Sequence, residues 1–270
     1  MNLKKSALKT LKETSRTFYI PISRLPDSLQ DAVTSAYLCM RAIDEIEDHP
    51  HIENNIKREI LTQISASLQS ISNDTAVEDI TAYIEPYKHL LPEVSYRFAE
   101  WATLAPVSIA GRIWEATAAM SDRMAYWADK NWVIKTKADL DQYTFSVAGS
   151  VGLLLSDLWA WYDNTKTNRE EAIAFGRGLQ AVNILRNHQE DKLRGVSFFP
   201  EGWQLEDMHQ YARYNLTLAD SYTKSLPKGP ALQFCQIPLT LAHATLDVLI
   251  LGKPKLTRND VMALVAQVCG

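Results

Sequence analysis

The stretch "RAIDEIEDHP" (residues 41–50) sets Asp44 and Asp48 four positions apart, and "NILRNHQED" (183–191) repeats that spacing with Asn187 and Asp191. Residues three or four apart share one face of an α-helix. Traced backwards from the first stretch, Tyr37, Arg41, Asp44 and Asp48 fall at offsets 0, 4, 7 and 11, beside an apolar edge of Leu29, Val33 and Met40. Traced backwards from the second, Gln180, Asn183, Asn187 and Asp191 fall at 0, 3, 7 and 11. Charges beside a core-facing edge cost free energy unless they are paired or hold a cation. Carboxylate and amide oxygens suit a hard cation such as Mg²⁺, which is commonly shared between a few carboxylates and substrate phosphates. No Cys/His spacing points to zinc. Two helices carrying such stripes can face each other across a cavity. The plainer alternative makes Asp-x-x-x-Asp a solvated helix face and "DEIED" an acidic surface turn. A second copy at matching offsets, each with an arginine nearby (Arg41, Arg186), sets the cation reading level with it.

The rest of the chain reads as helices. Apolar residues recur at helical spacing, and β-branched alternation is absent. The pattern and its punctuation predict helices over about 3–14, 27–48, 53–71, 75–88, 92–102, 108–129, 137–161, 168–193, 205–224, 229–251 and 258–268. Asp27 follows Pro26, Asn168 precedes Glu171 by three, Pro92 opens a helix and Gly195 closes one. With no repeat, low-complexity run or Pro/Gly-rich linker, the expectation is one all-α domain of long helices around a single core.

Composition excludes several function classes. At 270 residues with 46% apolar content, the chain can bury a large core. A formal charge of −4 offers no bulk attraction for nucleic acid or anionic membrane, so a bound anion needs local Arg, Lys or metal. Three scattered cysteines, Cys39, Cys235 and Cys269, argue against a disulfide framework and for a reducing cytoplasm. "MNLKKSALKTLKETSRTF" is basic without an apolar core, unlike a secretory signal. "ALQFCQIPLTLAHATLDVLIL" (231–251) has the length of a membrane span, but Gln233, Gln236, Pro238, His243 and Asp247 are costly in lipid, and it reads as a buried helix. A peripheral membrane contact stays compatible with the sequence, and oligomeric state is unreadable.

Three further features fit either a site or plain packing. "SRTF" (15–18) places Ser15 and Arg16 where phosphate donors can gather, although an N-terminal arginine is ordinarily solvated. "VAGSVG" (147–152) groups Ala148, Gly149 and Gly152, which admit a close neighbouring helix or a ligand. Phe145, Trp159, Trp161 and Phe198 belong in a core by default, and any that line a cavity could stabilise a carbocation with their π faces.

Taken together, "SRTFYIPISRLP", "AYLCMRAIDEIEDHP", "YTFSVAGSVG", "LQAVNILRNHQEDKLRGVSFFP" and "FCQIPLTLAHATL" resemble the squalene/phytoene synthase family of trans-isoprenoid diphosphate synthases, in order and spacing, from about residue 10 to 260. The resemblance implies an all-α, single-domain isoprenoid-synthase-type helical bundle around a central cavity, covering 1–270. It implies Mg²⁺-dependent ionisation of an allylic diphosphate such as farnesyl diphosphate, with head-to-head prenyl transfer through a cyclopropyl intermediate. By position, Asp44, Asp48, Asn187 and Asp191 would hold Mg²⁺, and Tyr37, Arg41, Asp44, Asp48 and Asp191 would form the catalytic group. Ser15, Arg16, Arg41, Phe145, Gln180, Asn183, Arg186 and Phe198 would contact substrate. NADPH is used by some members, and no G-x-G-x-x-G motif marks it here. The implied setting is cytoplasmic with a membrane-associated variant.

The sequence also departs from the family pattern. Members carry Asp where Asn187 stands, a tyrosine just before V-A-G where Phe145 and Ser146 stand, and in many cases a tyrosine at Phe198. An amide keeps an oxygen ligand but gives up a charge, a loss of roughly a few kcal/mol of Coulomb energy at an effective dielectric of ~20. Three readings stay open: head-to-head prenyl transfer; single-substrate ionisation by a farnesol-forming diphosphate phosphatase or a terpene cyclase; and a non-catalytic lipid-binding helical protein.

Overall fold

The structure is a computed structural model and describes residues 2–70, 79–253 and 255–269. The described residues form helices and turns with no β-strand, as the periodicity predicts. The chain divides into two compact units, 1–131 and 132–270. Each is described by itself.

The first unit is built on α3 (Asp27–Glu47), against which α1 (Leu3–Thr14), α2 (Arg16–Ile22), α4 (Asn54–Ser70), α6 (Glu93–Tyr96), α7 (Phe98–Thr103) and α8 (Val107–Asp129) pack; α5 (Asp79–Ile84) and a 3₁₀ turn (Glu85–Tyr87) lie between α4 and α6. No Gly or Pro interrupts α3, Pro26 precedes it, Asp27 complements its N-terminal dipole, and Pro50 follows its end. Its buried face includes Leu29, Leu38, Ile43 and Ile46, each at most 1% exposed. Burying one such side chain stabilises the fold by about 1.5–3 kcal/mol. Two buried hydroxyls fix the flanking helices: Ser35 Oγ donates to the Trp101 carbonyl at 2.7 Å and Ser95 Oγ to the Ala42 carbonyl at 3.0 Å.

Two sequence expectations change here. The helix expected over 92–102 is broken at Arg97 (φ −99°, ψ 18°) into α6 and α7. The Arg97 guanidinium lies over the Trp101 ring and donates to Glu93, Glu100 and Ser6, which ties this break to α1. The short helix α2 is new; Ser15 caps it by accepting from Phe18 N at 3.1 Å. Of the helices expected over 53–71 and 75–88, residues 71–78 lie outside the described residues.

The second unit is organised by α11 (Arg169–Leu193), with α9 (Lys137–Thr144), a π-helical turn (Phe145–Gly149), α10 (Ser150–Asp163), α12 (Leu205–Ser225) and α13 (Pro230–Ile250) against it and α14 (Arg258–Cys269) against α13. The Asn168 side chain caps α11 by accepting from Glu170 N and Glu171 N, and Gly195 (φ +78°) turns the chain away at its other end. The "VAGSVG" glycines serve packing. A Cβ on Gly152 would stand 2.0 Å from the Ala172 carbonyl oxygen, and one on Gly176 would stand 2.1 Å from that of Ala148. The expected single helix 137–161 is interrupted by the π turn, where Thr144 Oγ1 bonds the Leu140 carbonyl and Ser146 Oγ the Gln142 carbonyl. Such side-chain bonds to the i−4 carbonyl compete with the regular ladder and loosen it. Helix α13 buries Ala231, Phe234, Cys235, Ile237, Leu239 and Leu246, in keeping with a core role, and no helix among the described residues is long and apolar enough to cross a membrane.

Candidate active site

In the first unit, α3 and the turn before α2 assemble the first stripe. Tyr37 is half-buried; burial raises its pKa, while hydrogen bonds from Ser15 and Thr14 and the charge of Arg41 hold it back. Ser15 and Tyr37, 22 positions apart in sequence, thus stand together. Phe18 packs on the Tyr37 ring at 6.0 Å. Arg41 forms ion pairs with both Asp44 and Glu45. Among the described residues its buried Nε has no hydrogen-bond partner. Burial and the neighbouring Asp48 charge push the Asp44 carboxyl up to about 7, against the pull of Arg41. Asp48 is exposed at the C-cap of α3. The side chain of Arg16 lies outside what is described.

In this corner Asp44 meets a like charge, Asp48, as well as its partner Arg41. Burial first, and the Asp48 carboxylate second, disfavour the ionised Asp44, and a hard divalent cation relieves that in the same way a proton does. The oxygen donors of Asp44 and Asp48 therefore fit Mg²⁺ in kind. Among the described residues, no three His, Cys, Asp or Glu side chains are gathered closely enough to hold a metal by themselves. A cation here would need oxygen ligands from substrate as well.

In the second unit, α11 carries the second stripe, and its partners are already engaged. Gln180, Asn183 and Asn187 are half-buried along one face. Asn187 Oδ1 accepts from Nε of the exposed Arg186 at 3.2 Å. Asp191 is 5% exposed, and its Oδ1 accepts from Arg194 at 2.6 Å. Its backbone carbonyl closes the helix end by accepting from Arg194 N and Val196 N. Ser146 is buried and Phe145 half-buried in the π turn. Trp159 is a core residue, 1% exposed against Phe234.

Two groups escaped the sequence reading. Tyr143, 5% exposed, stacks on Phe198 with centroids 4.7 Å apart. The neighbourhood expected to lack a phenol has one, two positions before Phe145. Arg177 stands three positions before Gln180, at the edge of the same stripe; it donates Nη2 to the Asp141 carbonyl at 2.9 Å, and its Nε is buried without a partner. Helical spacing alone would have added Arg177 to the stripe. The Tyr143 contact depends on the loop after α11 returning to α9, which no local pattern announces.

Comparison with known proteins agrees on the fold and the family. The solved complex of TcSQS with a ligand superposes with a TM-score of 0.80 at 22% identity, covering 98% of this chain and 85% of that one, and so shares its fold. The squalene/phytoene synthase family model matches residues 11–207, and the chain belongs to that family. It is 29% identical to squalene synthase of Eremothecium gossypii over 95% of this chain and 64% of the relative. It is 30% identical to squalene synthase of Schizosaccharomyces pombe over 87% of this chain and 57% of the relative. The chain spans about three fifths of the length of these curated relatives.

Proposed function

We propose that the protein is a prenyltransferase of the squalene/phytoene synthase type, which ionises an allylic isoprenoid diphosphate, farnesyl diphosphate by preference, and joins two prenyl chains head to head. One observation carries the reading: in a chain of this family, Tyr37, Arg41, Asp44 and Asp48 share one helix face, where burial and the Asp48 charge raise the Asp44 carboxyl. Diphosphate departs only when its growing charge is met by fixed cations and donors. Mg²⁺ held by Asp44 and Asp48, with Asn187 and Asp191 contributing on the second stripe, would supply that neutralisation. Arg41 would donate to the diphosphate oxygens with the Nη groups it now gives to Asp44 and Glu45, exchanging those carboxylates for the substrate anion. Ser15 and Tyr37 orient the same anion, and Gln180, Asn183, Arg186 and Arg16 offer further polar contacts. Tyr143 and Phe198 present stacked rings that shield the prenyl cation from water and stabilise it. NADPH belongs to the proposal only if the product is reduced. Buried free thiols at Cys39 and Cys235 support a cytoplasmic setting, with peripheral membrane contact as part of the same proposal.

A second reading has its own support. With Asn187 bonded by Arg186 and Asp191 by Arg194, the second stripe brings one carboxylate, already paired. That favours ionisation of a single diphosphate followed by water capture or cyclisation. Incubation with labelled farnesyl diphosphate and Mg²⁺, with and without NADPH, separates the two. A C30 hydrocarbon or a cyclopropyl diphosphate supports head-to-head transfer, and a C15 alcohol or cyclic hydrocarbon supports the single-substrate route. No turnover of any C10 to C20 diphosphate removes both and leaves a lipid-binding protein.

A further inference from the structure

The C-terminal end of α9, just before the π turn, is gripped by side chains from two other helices. Tyr211 of α12, 6% exposed, donates its hydroxyl to Asp141 Oδ1 at 2.8 Å and lies 3.0 Å from Thr144 Oγ1. Arg177 of α11 donates to the Asp141 carbonyl at 2.9 Å, and Lys137 pairs with Asp141 Oδ2 at 2.8 Å. Asp141 and Thr144 share a helix face, and Tyr143 between them lies about 200° around the helix from Asp141. On that other side Tyr143 stacks on Phe198. The helical ladder changes register at Phe145, so slack of about one residue sits immediately after Tyr143. Without a grip at 141 and 144, the last turn of α9 can rotate into that slack.

The grip is retained against its own cost. Among the described residues the buried Nε of Arg177 has no partner, an arrangement that packing alone does not favour. Burial raises the Tyr211 pKa, and the Asp141 charge raises it further, so the phenol stays protonated and remains a donor throughout the working range of pH.

We propose that Tyr211 and Arg177 are positioning residues that fix the rotation of α9 and hold Tyr143 against Phe198, and so govern how often water captures the prenyl cation. This rests on the prenyltransferase reading. Capture adds water to the cation, forms a C–O bond and releases a proton; an ordered aromatic wall excludes that water until the C–C bond forms.

The test is the ratio of C15 alcohol to condensed C30 product, which does not depend on how much enzyme is active. Tyr211→Phe keeps the ring and removes the donor; the ratio rises about tenfold while KM for farnesyl diphosphate stays within about twofold. Arg177→Met provides the same comparison if Tyr211→Phe fails to give folded protein by circular dichroism. Asp141→Asn retains an acceptor for Tyr211 and recovers most of what Asp141→Ala loses. In parallel, nitration by tetranitromethane, located by peptide mass spectrometry, reads the position of Tyr143. The residue is protected in the native protein and reacts several-fold faster in Tyr211→Phe. An unchanged product ratio, or Tyr143 as protected in the variants as in the native protein, overturns the proposal. If the native protein turns over no prenyl diphosphate, the prenyltransferase reading fails, and with it the claim about water capture, whereas the nitration result still decides whether the grip on Tyr143 exists.

Discussion

The two polar stripes share a sequence spacing and differ in what surrounds them. On α3, Asp44 is pressed by burial and by Asp48 until its carboxyl is pushed up to about 7. On α11, Asn187 carries no charge and Asp191 is closed off by Arg194 at 2.6 Å. On one stripe burial and a like charge push a carboxyl toward protonation, and on the other the single carboxylate is already paired. Under the proposed function, the difference makes α3 the stripe where a cation would matter most.

The largest effect expected from this asymmetry is catalytic. Asp44→Asn or Asp48→Asn leaves the helix intact and lowers turnover of the prenyl diphosphate by a factor on the order of 10²–10³ or more. Arg194→Ala, which frees Asp191 without touching the first stripe, changes turnover far less. Steady-state rates on protein shown to be folded by circular dichroism decide this. Undiminished rates in both aspartate variants would remove the metal assignment and the asymmetry with it.

The units also differ in how tightly their helices cross. Nine of the ten glycines lie in the second unit, and at two of them, Gly152 and Gly176, a Cβ would overlap a neighbouring backbone carbonyl. Gly176→Ala drives a Cβ to 2.1 Å from the Ala148 carbonyl oxygen, and an overpacked crossing of this kind costs about 3 kcal/mol. That corresponds to a fall in Tm of roughly 6–12 °C. Gly111→Ala, on α8 of the first unit with nothing within 4 Å, gains about 0.5–1 kcal/mol instead. Equal melting shifts for the two variants would contradict the close crossing.

What the sequence made legible follows from which forces are local. Helix α3 was readable to within a residue because its apolar spacing, Pro26 and Pro50 all act within the segment. The meeting of Arg41, Asp44 and Glu45 was implied by offsets of three and four. The break at Arg97 was not legible, because it depends on Ser6 and Trp101 being nearby. Nor was the π turn, where two hydroxyls draw on i−4 carbonyls inside an otherwise regular pattern. The residue offsets place the two stripes, on α3 and on α11. They did not show that Asp191 would be occupied by Arg194, or that Tyr143 would put a phenol beside Phe198.

A smaller effect tests the amide itself. Asn187→Asp restores a charge to the second stripe, but the new carboxylate gains the exposed Arg186 as a partner, and that pair contributes little. The Mg²⁺ concentration giving half-maximal activity falls by about threefold, within the few kcal/mol that one charge provides at an effective dielectric near 20. The condensed product also rises relative to alcohol. A magnesium titration that superposes on that of the native protein would show that Asn187 takes no part in metal loading.

The smallest expected effect is on stability and isolates Asp44 in the absence of divalent cation. Its carboxyl titrates near 7 in the folded protein and at about 3.8 when unfolded. Between those values the folded state holds a proton that the unfolded state has released. The unfolded chain therefore binds fewer protons, and stability falls as pH rises through that window. The contribution is fully present below about 3.8 and gone above about 7. Because 30% of the side chain is exposed, solvent screening reduces it, to about 1 kcal/mol or 2–4 °C in Tm. Melting curves in EDTA at pH 5 and pH 8 give the measurement as a double difference: the native protein loses more Tm on going to pH 8 than Asp44→Asn does. Equal losses in the two proteins, or a larger loss in the variant, would mean that burial and Asp48 do not press on Asp44, and the contrast with α11 would fail at its source.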